Sequence, residues 1–535
     1  MMVSYNTGFW ALPYAHQRKP VVAANMVATT QPLAAQAGIQ ALKQGGNAMD
    51  AALATAIALT VVEPVMNGIG GDAFVLLWID GKLHGLNASG RAPLAWSPEF
   101  FAGRERMPDR GWETVTVPGQ VAGWATLSER FGQLPFERLF DAAIDYAQNG
   151  FAVSPVVARQ WANFAPELLQ YPGFAEAFTR DGAAPVAGTI WRFPAQARTL
   201  EAIAATRGAD FYSGEIARKI VRFAEQTGGA LSLEDLQSHQ CDWVTPLEMP
   251  YRDGFSLYEL PPNGQGIAAL MAVGMLKHLP AAKSATDVDG LYHYPIEAVR
   301  LAFADLHRYV SDAAHMEVLA EQLLDEHYLQ QRAALIKAGT VSAVQAGVPE
   351  QAGTVYLTTA DQQGNMVSFI QSNFQGFGSG VVVPETGIAL QNRGRGFSLQ
   401  PGHPNLVGPG KRSMHTIIPG FITRHGQPWT SFGVMGGSMQ AQGHVQMMRQ
   451  LVDLGRNPQT AIEAPRFRVE QDGSLWLEHG AGKQTAAVLQ RYGHRPVLQP
   501  VDSLEFGSAQ AIMRLDTGVY VAGSDARRDG LAIGF

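Results

Sequence analysis

Cysteine is nearly absent from this chain: its 535 residues contain one, Cys241. A lone thiol excludes an intramolecular disulfide framework and fits a reducing compartment. The surrounding Gln240-Cys241-Asp242-Trp243 matches no reactive-thiol pattern, so Cys241 reads as structural. Basic charge is not in excess either. Forty Lys and Arg against 47 Asp and Glu leave a net charge of -7, which argues against a nucleic-acid groove. No block of like charges suggests a tail or a membrane patch. The longest apolar run, Ala51 to Val62, stops at Asp50 and Glu63 and is too short to cross a bilayer. Met1 to Trp10 lack a basic region followed by an apolar stretch, so no secretory signal is expected and the cytoplasm is the default. The histidines, scattered from His16 to His494, show no metal-ligand spacing. The glycine-rich Asn67-Gly68-Ile69-Gly70-Gly71-Asp72 has neither dinucleotide-binding spacing nor the lysine of a phosphate-binding loop. Neither a metal nor another cofactor is expected.

What is present is a large apolar fraction, 46% against 16% charged, enough to bury a sizeable core. Residues 29 to 62 read as small-residue helices able to pack closely on a sheet. Phe74 to Leu83 reads as a hairpin turning at Asp80-Gly81. Residues 119 to 340 are mostly helical in pattern. Beyond Thr354 the pattern changes to short strands: Val355 to Ala360, Met366 to Gln371, Gly387 to Gln391 and His415 to Ile422. An α+β class follows. Gly339 to Gly353, poor in periodicity, is the expected boundary and an accessible approach to Thr354.

Gly353-Thr354-Val355-Tyr356 carries a specific chemical possibility. If the bond before Thr354 is cut, one residue holds a hydroxyl nucleophile beside a free α-amine, the arrangement of threonine amidases. The same alternating residues also suit any half-buried strand. The local pattern leaves both readings open.

The rest of the chain narrows the choice. Met26 to Gly38, Leu42 to Ala52, Val61-Val62-Glu63-Pro64, Gly68 to Gly71 and Val117 to Gly123 resemble the γ-glutamyltransferase family. So do Tyr258 to Pro262, Gly264 to Ala268, Glu297 to Asp305, Met435 to Ser438, Glu463 to Phe467 and Gly523 to Arg527, in that order. The resemblance implies a four-layer αββα sandwich of the N-terminal-nucleophile hydrolases. It implies cleavage between Gly353 and Thr354, giving a large subunit of residues 1–353 and a small one of 354–535 that stay intertwined. The expected partner is thus its own other subunit, as a heterodimer or a dimer of heterodimers. Thr354 becomes the nucleophile, with its α-amine (reference pKa about 8) as base. Gly436 and Gly437 become the oxyanion hole, since adjacent glycines let backbone N–H groups approach a ligand. Ser372 takes the place of a second threonine beside the nucleophile, and Asn373 is a candidate lining group. Arg91 matches the arginine that grips the substrate carboxylate, for which a guanidinium fork is suited.

Two departures bear on the substrate. The family holds a γ-glutamyl ammonium with an acid just before a Phe-Ser pair. Here the segment is Gln391-Asn392-Arg393-Gly394-Arg395-Gly396-Phe397-Ser398, with Gly396 in the acid's place. An ammonium about 4 Å from a guanidinium meets repulsion of about 4 kcal/mol at an effective dielectric of about 20. Asn392, Arg393 and Arg395 are therefore candidate ligands for an anion without an amine. The family's paired serines appear as His415 and Thr416, also candidate substrate-binding residues. The stretch from Phe397 to Lys411 is short, implying a missing lid and easy access of water to an acyl-enzyme. These variants resemble a branch containing acylases and oxamate amidohydrolase, which implies a small anionic amide such as oxamate. A γ-glutamyl hydrolase or transferase acting on glutathione, a glutaryl-type acylase, and a catalytically silent binding protein remain as alternatives.

Overall fold

Short alternating strands from both halves of the chain assemble two seven-stranded sheets. The computed structural model describes residues 18–342, 353–470, 472–501 and 503–535. Met1 to Trp10, and residues 343–352 of the expected boundary, lie outside the described residues.

In chain order the sheet strands are β1 (Val21–Ala23), β2 (Met26–Thr29), β3 (Asp72–Ile79), β4 (Lys82–Ala88), β5 (Asp242–Val244), β6 (Leu247–Pro250) and β7 (Phe255–Glu259). There follow β8 (Gly353–Ala360), β9 (Met366–Phe374), β10 (Gly420–Arg424), β11 (Gln427–Met435), β12 (Ser508–Arg514), β13 (Tyr520–Ser524) and β14 (Leu531–Gly534). One sheet runs β14-β2-β8-β9-β3-β4-β5 and the other β1-β13-β12-β11-β10-β7-β6. Each sheet combines strands from both sides of Thr354.

Burial explains the layering. Met26, Phe74, Tyr356, Ile370, Phe421 and Ile512 meet between the sheets as one apolar cluster. The outer face of the first sheet is covered by α1 (Pro32–Lys43) and α2 (Ala48–Val62). Every residue of α2 is buried, as expected of a helix that is apolar all round and rich in alanine. An Asn47–Asp50 capping box starts it. Against the second sheet pack α3 (Gly266–Lys277), α4 (Tyr294–Tyr309) and α5 (Met439–Met448), sharing a core with Ile422, Phe432 and Val434. The result is an α+β fold in four layers, αββα.

The helices at 29–62 and the hairpin at Asp80-Gly81, both at positive φ, sit where the sequence places them. The stretch 119–340 is mostly helix, as its pattern reads, and also holds β5, β6 and β7, of three to five residues each. Strands so short show no readable alternation; β6 and β7 pair as a local hairpin, while β5 pairs with β4. Two expectations need correction. Of Gly387 to Gln391, only Ile388–Ala389 is strand. His415 to Ile422 becomes strand only from Gly420; His415 instead makes a single parallel bridge to Gly264. Pro419, lacking an N–H, cannot join a ladder there.

Candidate active site

Strand register places Thr354 at an irregularity. Gly353 pairs with Phe374 and Val355 with Gln371, so Thr354 alone opposes both Ser372 and Asn373. Such a bulge re-aims side chains that a regular ladder would send to opposite faces. Here it sets the Thr354 hydroxyl 3.4 Å from Ser372 Oγ, to which it donates. Ser372 Oγ is itself fixed by the Phe374 N–H at 2.7 Å, and Phe374 lies at φ 78°. Backbone in that region is strained for a bulky residue and persists only where its surroundings hold it.

Gln440 completes the fixing of Thr354. Its Nε2 donates to Thr354 Oγ1 at 3.2 Å, and its Oε1 accepts the Ile418 N–H at 3.0 Å. The residue sits in the first turn of α5, directly after Met435-Gly436-Gly437-Ser438. Gly436 and Gly437 lie at φ 122° and 63°, conformations open chiefly to glycine. The Gly436 carbonyl accepts from Met439 N at 3.1 Å. In a planar trans peptide the Gly437 N–H therefore points the other way, out of the helix start. Gln265 Nε2 ties the Gly437 carbonyl at 2.8 Å and the Thr416 carbonyl at 2.5 Å, linking the glycine turn to the adjoining loop.

That loop builds a charged but balanced wall. Asp72, fully buried, accepts from Gly90 N, Gly119 N and Gln391 Nε2 at 3.0 Å on one oxygen, and from His415 Nε2 at 3.1 Å on the other. Burial alone would raise its pKa. The hydrogen bond from the His415 Nε2–H and the charge of Arg393 outweigh that and hold it below the usual carboxylate value. Burial, followed by the charge of Arg393, pushes the His415 pKa down to about 3. His415 Nδ1 accepts the Ile417 N–H at 3.3 Å, so the ring is a neutral Nε2–H tautomer. Arg393, 1% exposed, lies over the Phe374 ring at 4.2 Å and donates to Thr416 Oγ1 at 2.8 Å. The wall is thus one anion, one cation and a neutral imidazole, beside the strand that carries Ser372.

The remaining sequence candidates divide. Asn373, buried, donates to the Ala389 carbonyl at 3.2 Å, and its Oδ1 has no hydrogen-bond partner among the described residues. A Cβ on Gly68 or Gly71 would fall within 2.9 Å of its carboxamide, so the glycine-rich stretch exists to seat that side chain. Asn392 donates to the Asp109 carbonyl and Gln375 Oε1, and accepts from Gln375 N. Arg395 turns to Asp109, 2.5 Å away. Arg91 is drawn to the rim: its side chain is 45% exposed and reaches Asp312 at 3.4 Å and Asp242 at 3.9 Å. Burial pushes the Cys241 thiol up to about 12, so it is no nucleophile. Asn405 Nδ2 donates to the Gly396 carbonyl and Lys411 Nζ to those of Pro404 and Leu406, which tacks the short 398–410 loop to the body.

Sequence reasoning missed Gln440, Gln265 and Asp72. Gln440 was findable, being the first helical turn after the glycine pair. Asp72 ended a glycine stretch weighed only for phosphate binding, and nothing local linked it to His415, 343 positions away.

A family model described as gamma-glutamyltranspeptidase matches residues 34–535. The chain is 35% identical over 521 residues to a glutathione hydrolase-like YwrD proenzyme of Bacillus subtilis, covering 95% of this chain and 98% of that one. It is 34% identical over 522 residues to the oxamate amidohydrolase proenzyme of Klebsiella pneumoniae, with the same coverages. A crystal structure of cephalosporin acylase from Bacillus halodurans superposes with a TM-score of 0.94 at 45% identity, covering 100% of this chain and 99% of that one. With the αββα fold and the Thr354 site already in place, these matches show that the chain belongs to the gamma-glutamyltranspeptidase family of amide-bond hydrolases.

Proposed function

We propose that the protein cleaves itself between Gly353 and Thr354 and then hydrolyses amides whose acyl half carries a carboxylate, with oxamate as the smallest example. The observation that carries this reading is the bulge that sets Thr354 Oγ1 between Ser372 Oγ and Gln440 Nε2. Once freed, the Thr354 amine takes the hydroxyl proton as Oγ1 attacks the amide carbon. The Gly436–Gly437 turn stabilises the oxyanion. The proton passes to the departing nitrogen, which leaves as the amine, and water then opens the ester, releasing the acid and restoring the Thr354 hydroxyl. The fragments of residues 1–353 and 354–535 stay joined through the shared sheets.

The acyl carboxylate is assigned to Arg393 with Thr416, and Arg91 to guiding it at the rim. Gly396 leaves no acid where a γ-glutamyl ammonium is held in the family, which supports an acyl group without an amine. The oxamate amidohydrolase similarity supports the same direction. Steady-state rates on oxamate, a glutaryl anilide and a γ-glutamyl anilide test it: the first two are expected to be turned over well ahead of the third. Preference for the γ-glutamyl compound, or acceleration by an added dipeptide acceptor, contradicts the proposal.

A further inference from the structure

A cavity of about 710 Å³ opens beside the oxyanion turn, lined by Met435 and Gly436 at one part of its wall. Pockets of about 300–1,000 Å³ suit ligands of drug-like size. Oxamate, at six heavy atoms, would leave most of that space unfilled. Arg393, His415 and Thr416 are not among the cavity's lining residues, so the cavity is separate from the wall assigned to the acyl carboxylate.

The charges around it are not equally spent. Asp109 is paired with Arg395, Glu167 with Arg110, and Glu505 with Arg468. Arg528 stands apart. It is 7% exposed and lines the cavity, and its Nε and Nη1 have no hydrogen-bond partner among the described residues. Burial is the main influence on its pKa and pulls it below the usual arginine value; the neighbouring charges of Glu63 and Asp525 only partly oppose this. Neither compensates it well. Asp525 is already held by Arg466 and Arg527. Glu63, bound by the Thr30 hydroxyl, is pushed up to about 7 by burial and so carries only part of a charge at neutral pH. A buried guanidinium with open donors next to a cavity is costly unless an anion meets it.

We infer that this cavity takes the amine-side half of the substrate and that Arg528 binds a carboxylate on that half. The inference rests on the Thr354 reading, and Gly436, which belongs to the proposed oxyanion turn and also lines the cavity, is the point the two share. The substrate class is then an N-acyl compound with two anionic ends: one on the acyl group, and one on the amine several atoms from the scissile bond. Bond cleavage needs no additional reactant, since water supplies the atoms that separate the halves.

The test uses the full-length protein and two readouts. In the first, oxalyl and glutaryl amides of 4-aminobenzoate are compared with the matching anilides, which lack the second carboxylate. Wild type is expected to favour the aminobenzoates at least ten-fold in kcat/KM. In Arg528→Gln that preference is expected to collapse, and in Arg528→Lys to survive in part. The second readout is calorimetric binding of free 4-aminobenzoate against aniline, measured in the wild-type protein with and without Arg528→Gln. It requires no turnover, so failure of the nucleophile and failure of the anion site are told apart. Binding of 4-aminobenzoate that weakens ten-fold or more without Arg528 supports the inference. Equal binding of 4-aminobenzoate and aniline, or equal loss on anilides and aminobenzoates in a folded Arg528→Gln protein, overturns it.

Discussion

Arg393 and Arg91 are both sequence candidates for a substrate carboxylate, yet the fold treats them oppositely. Arg393 is 1% exposed, stacked on Phe374 and bonded to a threonine hydroxyl. Arg91 is 45% exposed in its side chain and contacts Asp312 at 3.4 Å and Asp242 at 3.9 Å. A charge held in low dielectric acts strongly on what touches it, while an exposed charge between two carboxylates is screened and partly cancelled. Residue type nominated both arginines. Burial ranks them.

The largest effect expected is at the nucleophile. Thr354→Ala should abolish self-cleavage and lower amide turnover by at least about 10³-fold, visible as one band on a denaturing gel. Next is the buried arginine. Arg393→Met should raise KM for an anionic amide by about 30- to 5,000-fold, in line with the roughly 2–5 kcal/mol lost when one partner of a buried charge contact is removed. A smaller change in KM than the one caused by Arg91→Ala would reverse the ranking above.

How much of this was legible beforehand follows from how local each signal is. Thr354, Gly436 and Gly437 lie in short contiguous stretches, yet those stretches alone leave Thr354 open between a plain strand and a nucleophile; the resemblance of the surrounding blocks supplies their expected roles. The α2 helix and the Asp80-Gly81 hairpin are written in adjacent residues. Asp72 with His415 is not, because it joins chain segments through tertiary packing alone. Nor could the sequence tell Arg393 from Arg395. Side-chain direction depends on the turn at 393–396, which sends one to Phe374 and the other to Asp109. The strands at 242–259 are three to five residues long, too short to show alternation, and only β5 and β7 have partners far away in the chain, since β6 pairs with β7 alone.

The smaller effects sharpen the same contrast. Gln440→Ala removes one neutral hydrogen bond to Thr354, worth about 1 kcal/mol, so kcat should fall about five-fold with KM little changed. Arg91→Ala should change KM less than about three-fold at 0.15 M salt, and more as salt is lowered, because exposed pairs are screened.

The buried imidazole adds a pH test. His415 is held at about 3 in the fold, against a reference of about 6.5. Because the folded pKa is the lower one, the unfolded chain takes up a proton that the folded chain refuses. Stability is therefore lost as pH falls from about 6.5 toward 3. His239, at about 4, and His444, at about 3, act in the same direction. His415→Asn should flatten the fall in Tm across that window without erasing it, as followed by thermal unfolding at a series of pH values. An unchanged slope would mean that His415 is charged in the fold.

The central claim is that a freed Thr354 amine and its own hydroxyl carry the chemistry. Amino-terminal sequencing of the smaller fragment, separated after incubation of the purified protein, addresses it most directly. Thr-Val-Tyr as the first three residues is the predicted result; a fragment beginning elsewhere, or an uncut chain that still hydrolyses amides, contradicts the account.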